Sequence, residues 1–285
     1  MRLRISKPTS KQFISYSVLV FLGVLLLTYA IFIEPGQLVV QRQSISLPHW
    51  SPALNHLKVA VLADLHVGCL SVPVSKLRRV IATTNAQEPD LILMLGDFVA
   101  SHGRRSALKP EAFAHELSAL KAKYGVYAVL GNHDWWYNGE EVRNQLRRAN
   151  IHVLENESVQ LKINDVSLWI AGLADQWTRT PSIPLSVKSI PVGSPSLMLM
   201  HEPDLLRAVP ESISLSLAGH THGGQVSLPI IGAPIVPTDL GSKFARGLIV
   251  EGEKHYFVSS GVGTSVLPVR LGVPPEVCIL DLTCK

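Results

Sequence analysis

Short apolar runs that stop on a glycine or an acidic residue recur through the first half of this chain at nearly constant intervals, and that recurrence constrains the fold most. Val59 to Ala63 ends on Asp64, Leu91 to Leu95 on Gly96-Asp97, and Val126 to Leu130 on Gly131-Asn132. Asp64 and Asp97 are 33 residues apart, and Asp97 and Asn132 are 35 apart. Each interval suits one strand, helix, strand unit, and each run has the length and composition of a strand. Helical patterns lie between them: Val74, Leu77 and Ile81 behind Pro73, then Phe113, Leu117 and Leu120 behind Pro110, with each proline suited to a first helical turn. Strands joined this way run parallel. Residues just past their carboxyl ends then converge on one crevice, so the spacing predicts an α/β fold with a site at that edge.

With 285 residues and 47% hydrophobic content the chain can bury a full core, and one large domain is the simplest organisation. Phe13 to Ile33 holds no charge; as a helix it would extend roughly 30 Å, the thickness of a bilayer core. It is expected to span a membrane, since a buried core helix would need a polar stripe and a signal peptide a shorter run with a small-residue cleavage site. Arg2, Arg4, Lys7 and Lys11 precede it with no acidic residue among them. That asymmetry predicts residues 1–12 as a cytoplasmic tail, 13–33 as a single-pass anchor in the inner membrane, and the catalytic body on the outer face. The tail also accounts for the formal charge of +4, leaving 22 basic against 22 acidic residues in the body. A neutral body argues against a general nucleic-acid binder. Cys69, Cys278 and Cys284 form neither a C-x-x-C pair nor an even set, so no disulfide framework or zinc knuckle is expected.

Residues 34–56 read as a stem or first edge strand leading into a domain over 57–285, and a cut near residue 45 is expected to leave that domain folded. A further helix is expected from Asn138, where Asn138 and Glu141 have capping-box spacing. Strands then dominate, over Ile151 to Leu154, Val159 to Ile163, Ser167 to Ala171, Ser196 to Met200, Ser214 to Ala218, His255 to Val258 and Glu276 to Leu282. Gly172 to Pro195, with four prolines, reads as a long irregular loop of the kind that covers binding sites.

Metal-binding side chains gather in Asp64-Leu65-His66, Gly96-Asp97, Gly131-Asn132-His133-Asp134 and Gly219-His220-Thr221-His222, with His201 between the last two. Carboxylate oxygen and imidazole nitrogen without thiolate suit a hard or borderline divalent ion. On extended backbone, residues two apart share a side, so Asp64 and His66 are expected to hold one ion together, and His220 and His222 likewise. Each cluster alone has a bland alternative as a polar turn or packed histidine. Their joint occurrence past strand ends, in this order, is what points to a two-metal phosphoester hydrolase.

With these motifs the chain resembles the calcineurin-like metallophosphoesterase superfamily, whose pattern runs D-x-H, G-D, G-N-H-D or E, H, G-H-x-H. The resemblance covers Leu57 to the C-terminus. It implies a four-layer α/β/β/α sandwich and two divalent ions, drawn from manganese, iron, zinc or magnesium, with manganese favoured. Carried over by motif, Asp64, His66 and His222 would hold the first ion and Asn132, His201 and His220 the second, with Asp97 bridging. His133 would protonate the leaving oxygen or steady the phosphoryl charge, oriented by Asp134. The stretches GHTHGGQ (219–225) and SSGVGTSVLPVRLGVPPEV (259–277) look more like a bacterial branch of membrane-associated phosphodiesterases. Some members of that branch act as UDP-diacylglucosamine hydrolases in lipid A synthesis. The expected substrate is therefore a phosphorylated or nucleotide-linked lipid. A soluble phosphoester, or an inactive membrane-tethered metal-binding module, is the alternative. Oligomeric state is not legible.

Early H-x-H-x-D-H, which a metallo-β-lactamase fold would show, is absent, and so is the H-x-H that opens an amidohydrolase barrel. Trp135-Trp136-Tyr137 either packs the following helix or forms a wall at the pocket mouth. Gly261 and Gly263 lack the lysine and following helix of a nucleotide loop. Arg104, Arg105, Lys243, Arg246 and Arg270 either meet substrate phosphates or, more simply, form solvated surface.

Overall fold

The computed structural model describes residues 10–102, 105–106 and 108–285. Most of the expected basic tail lies outside them, as does Arg104. Helix α1 (Ser10–Thr28) carries the uncharged run and continues through a π-helical turn, Tyr29–Ile33, into a 3-10 turn, Glu34–Gly36. The stretch Phe13–Gly36, 24 residues, is long and apolar enough to cross a membrane, and 6% of its apolar window is buried. A helix that is apolar on every side and packed on almost nothing is not a core helix.

The segment after this helix is no free stem. Strand β1 (Val39–Leu47) pairs in parallel along its whole length with the last strand of the chain, Glu276–Cys284. The Glu34 side chain is buried and accepts a hydrogen bond from Val273 N at 2.7 Å. Residues 34–56 therefore belong to the domain, and a cut near residue 45 would remove Val39 to Ser44 from the sheet, against the expectation that the body folds without them.

The remaining strands are β2 (Leu57–Leu62), β3 (Leu91–Leu95), a two-residue pair β4 (Ser101–His102) and β5 (Arg105–Ser106), β6 (Val126–Val129) and β7 (Ile151–Val153). The second half adds β8 (Glu157–Ile163), β9 (Val166–Gly172), β10 (Ser196–Leu199), β11 (Leu215–Ala218), β12 (Gly247–Glu251), β13 (Lys254–Val258) and β14 (Glu276–Cys284). Further helices are α2 (Val74–Asn85), α3 (Pro110–Leu117), α4 (Asn132–Arg148) and α5 (Ile183–Val187). One sheet runs β1-β14-β2-β3-β6-β7 and the other β12-β13-β11-β10-β9-β8. As the spacing predicts, β2, β3 and β6 are parallel neighbours.

Period-two alternation sorts these strands into layers. Val59, Val61, Leu91, Leu93 and Leu95 face a core between the sheets with Leu168, Ile170, Leu197, Leu199, Leu215 and Leu217. Ala60, Leu62, Ile92 and Met94 face the other way, onto Leu77, Ile81, Phe113, Leu117, Val142 and Leu146 of α2, α3 and α4. Both faces are buried, hence the nearly unbroken apolar runs. Three of the four expected layers are thus present in full. The fourth is reduced: Met198, Met200, Tyr256 and Val258 are covered by a 3-10 segment (Pro203–Ala208), Phe244 and the five-residue α5. Prolines at 181, 184, 191, 195, 203 and 210 explain why no long helix forms there.

Two local differences matter for the site. Helix α4 starts at Asn132 rather than Asn138, and Asn138 is a kink within it (φ −171°, ψ 87°) where its Oδ1 accepts from Glu141 N at 3.2 Å. The capping pair is real, but it restarts a helix whose first turn already carries Asn132, His133 and Asp134. Strand β12, which the sequence pattern does not announce, forms an antiparallel hairpin with β13.

Candidate metal centre

Each expected ligand lies just beyond a strand. Asp64 and His66 follow β2, Asp97 follows β3, Asn132 opens α4 after β6, His201 follows β10, and His220 and His222 follow β11. All seven are at most 7% exposed. Backbone geometry differs from the expectation of extended strand ends. Asp64, His66, Asp97, His220 and His222 have φ between 43° and 68°, a left-handed region that few non-glycine residues adopt and that concentrates at functional sites. The two members of D-x-H and of H-x-H therefore converge by turning, not by strand alternation. The turns are held by a continued ladder: Asp64 N donates to Gly96 O, His66 N to Asp97 O and Val67 N to Phe98 O, at 2.8–3.1 Å.

Ligand atoms of Asp64, His66 and His222 lie within 4.8 Å of one another, and so do those of Asp97, His201 and His220. Asp97 Oδ2 stands between the groups, 3.3 Å from His201 Nε2 and 3.5 Å from His66 Nε2. Imidazole nitrogens face each other at 3.2 Å in both places, His66 Nε2 with His222 Nε2 and His220 Nδ1 with His201 Nε2. The far nitrogens of two of these rings meet carbonyls, His201 Nδ1 at Leu95 O (2.7 Å) and His66 Nδ1 at Val99 O (3.3 Å). In a neutral ring, a proton held at Nδ1 turns the Nε2 lone pair inward, the arrangement that supports ligating histidines. Asn132 Oδ1 is 3.1 Å from His201 Nε2. Converging oxygen and nitrogen donors of this kind fit divalent ions.

Burial dominates the electrostatics. It pushes Asp64 up to about 7, His66 down to about 4 and His220 down to about 3. His201 goes the other way: burial opposes its charge, but the Asp97 carboxylate holds it well above the usual histidine range.

Asp134 does not do what its position beside His133 suggests. Its Oδ2 accepts from Asp97 N and Gly131 N, both at 3.0 Å, and its Oδ1 from Phe98 N (2.9 Å) and Val99 N (3.0 Å). The carboxylate ties the loop after β3 to the loop after β6; it positions Asp97 through the backbone. His133 instead has Nε2 at 3.3 Å from Ser265 Oγ, while its ring packs edge-on to His66 at 4.7 Å and tilted to Trp136 at 4.8 Å. Its Nε2 or Nδ1 also lies within 4.8 Å of ligand atoms of His66 and Asp97.

The loop between β13 and β14 completes the floor. A Cβ at Gly131 would sit 2.3 Å from Asp97 Oδ1, and one at Gly261 2.8 Å from Asp64 Oδ2, so both glycines are there because a side chain would occupy the centre. Arg270 is neither surface nor a phosphate contact. It is fully buried and donates to the carbonyls of Ser260, Gly263 and Val273, shaping this loop from inside. Above the floor opens a cavity of about 760 Å³. Asp97, Asn132, His133, His220 and His222 line its base; Val226, Pro234, Ile235, Val266, Leu267 and Val269 line its sides. Trp136 and Trp177 stand 6.1 Å apart at one wall, and Trp177 packs edge-on to His220 at 4.6 Å. Trp136 thus belongs to the wall, while Trp135 is held between Arg143 and Arg179. Trp177 comes from the loop expected to cover a site.

Comparison with known families agrees with this geometry: residues 57–224 match the calcineurin-like phosphoesterase family. The chain belongs to that family. It is similar to phosphodiesterase YaeI of Escherichia coli, with 33% identity over 89% of this chain and 92% of that protein. An uncharacterized metallophosphoesterase of Bacillus subtilis, YkuE, is 30% identical over 89% of this chain and 88% of its own length. An uncharacterized metallophosphoesterase of Aquifex aeolicus is 32% identical over 93% and 99%. As a calcineurin-like phosphoesterase the chain is a metal-dependent phosphoester hydrolase, and the paired His and Asp clusters answer to the dinuclear divalent centre such enzymes use. The family match ends at Gly224, yet Gly261, Ser265 and Arg270 build the same site from beyond it. Their roles depend on contacts across the fold, although the stretch that holds them, 259–277, stands out in the sequence as a motif.

Proposed function

We propose that this calcineurin-like phosphoesterase is a membrane-anchored phosphodiesterase or pyrophosphohydrolase that acts on a phosphorylated or nucleotide-linked lipid, UDP-diacylglucosamine being one of that class. The cavity carries the reading: its base is polar and its sides are almost wholly apolar, so it suits a phosphoester joined to a large apolar group better than a small soluble diester. The two tryptophans offer faces for a base or sugar ring. An apolar helix leading directly into the domain supports work at a bilayer, where tethering raises the effective concentration of a lipid-borne substrate. The basic residues before that helix favour a body on the outer face of the inner membrane. The name of the Escherichia coli relative supports the diester chemistry.

In this reading Asp64, His66 and His222 would hold one ion and Asn132, His201 and His220 the other, and Asp97 would serve both, a role supported by its short approaches to His66 and His201. When bound, the ions, manganese being favoured among manganese, iron, zinc and magnesium, stabilise charge on the phosphoryl oxygens and supply an activated water. His133, half-buried at the cavity base, delivers a proton to the leaving oxygen. Asp134 keeps Asp97 in place, and the apolar sides exclude bulk water.

The test is the full-length protein in vesicles of phosphatidylethanolamine and phosphatidylglycerol, supplied with manganese. UDP-diacylglucosamine, a phospholipid diester and a soluble chromogenic diester are compared. At least one lipid-borne substrate is expected to exceed the soluble diester in kcat/KM. Equal or lower values for every lipid would favour a soluble substrate.

A further inference from the structure

Large apolar side chains that stay exposed outside α1 are not scattered over this molecule. Among the described residues, and apart from the turn that ends the helix and from Leu185, Val192 and Val250, they line the cavity (Trp136, Trp177, Ile235, Val266 and Leu267) or stand on the same or adjoining loops (Ile230, Ile231 and Leu70). Ile230 and Val266 are exposed at 108% and 84%, and Ile231, Ile235, Leu267 and Leu70 between 60% and 78%. Leu70 stands on the turn after His66, residues 67–73, and the others on residues 226–238 and 259–269, none of which carries a charge. Those loops are joined: Val226 bridges Leu271, and the Gln225 side chain bonds both Ser265 N and Ser265 O. Ser71 Oγ, beside Leu70, is 3.0 Å from Thr264 Oγ1. An apolar patch of this size and continuity marks an interaction surface.

Its neighbour indicates the partner. Arg270 N donates to Ala30 O at 2.9 Å, and Ala30 lies inside the apolar stretch Phe13–Gly36. Leu267 is three residues from Arg270, which limits the separation of their Cα atoms to roughly 10 Å. The patch is therefore continuous with the end of the helix that would enter the bilayer. Of the charges that flank these loops, Arg270 does not oppose entry, because its guanidinium is turned inward onto three carbonyls, whereas Asp239, which follows residue 238, is exposed and ends the uncharged run. Lys76, whose Nζ bonds Pro35 O and Val262 O, further ties the helix end to the same loop.

We propose that these loops form a second membrane contact, a rim that dips into the lipid surface beside the anchor so that the cavity opens onto the bilayer rather than onto water. This goes beyond the substrate reading and does not depend on it, but it rests on the anchor of the proposed function, helix α1 in the bilayer. A rim of aliphatic side chains on uncharged loops has the chemistry of an interfacial insertion site, with the anchor fixing its depth.

The full-length chain, in vesicles of phosphatidylethanolamine and phosphatidylglycerol and without any substrate, is fitted with p-benzoylphenylalanine at one position and irradiated. Positions Ile231 and Leu267 are compared with Phe21, within the apolar helix, and with exposed Val192. Lipid adducts at 231 and 267 are expected in yields approaching those at 21 and about tenfold above those at 192, as for a segment seated in the interface. Yields at the level of 192 while 21 still labels lipid would overturn the proposal, as would crosslinks to a second copy of the chain in place of lipid. A soluble natural substrate would refute the lipid-substrate reading while leaving lipid adducts at the rim, so the two can fail separately.

Discussion

In the candidate metal centre, which includes the base of the cavity, Asp64, His66, Asp97 and His222 are at most 4% exposed, their turns are held by backbone bonds, and charge is concentrated there. At its rim Ile230, Ile231, Val266 and Leu267 are exposed on loops without charge. The base is attached to strand ends of both sheets, so each loop with a candidate ligand has a packed strand behind it. The rim loops are attached to the base through Gln225, Arg270, the Val226–Leu271 bridge and the bonds of Val262 N and Gly263 N to the carbonyls of Ala63 and Asp64. Polar candidate ligands thus stand on packed strand ends, and apolar side chains stand exposed on the loops above them.

If that division holds, changes at the base should remove catalysis and changes at the rim should alter only substrate preference. Asp97→Asn gives the largest effect: activity falls below about a thousandth, and metal content falls at both positions, because a neutral amide cannot replace a shared carboxylate. Elemental analysis that finds two ions retained at wild-type affinity would take Asp97 out of the shared role. His133→Ala should lose about 10²-fold in rate, the scale of a general acid, with both ions kept. Parallel loss of metal and activity would instead make it a ligand, which its nearness to His66 and Asp97 makes a sharp question.

Asp134→Ala distinguishes a positioning residue from an acid's partner. Four backbone donors lose a buried acceptor, so unfolding free energy should fall by about 3 kcal/mol and metal affinity should drop with it. Stability within about 1 kcal/mol of wild type, with a shifted pH profile for kcat, would return Asp134 to orienting His133. The smallest effect belongs to the wall: Trp177→Ala should raise KM about two- to tenfold, the worth of one aromatic contact, and leave kcat nearly unchanged. A large loss of kcat would mean that its packing on His220 supports the base, and the boundary between the two regions would move outward.

Seven ligand candidates were legible in the chain because strand, turn and ligand are local patterns: an apolar run, a glycine, then a donor, at the interval of one crossover unit. The same period explains the order β2, β3, β6 and the two-sided burial of those strands. The apolar helix was legible from composition alone. Other features are set by segments that meet only in three dimensions. Left-handed backbone at Asp64 and His66 depends on the ladder from the Gly96 turn, which a D-x-H motif does not contain. The Asp134 carboxylate points to whichever unpaired N–H groups the fold brings near it, and these belong to residues 97–99 and 131 rather than to its neighbour His133. Arg270 read as surface because an isolated arginine usually is; tertiary folding wrapped three carbonyls around it. Residues 34–56 read as a stem or a first edge strand, and the choice stayed open because an edge strand differs little from a tether until its partner, more than 200 residues later, is known; the pairing with the last strand decides for the edge strand. Sequence determined which groups could do the chemistry, since donor type and spacing are covalent facts; tertiary structure decided how each is held and what the cavity faces, since those depend on contacts between distant segments.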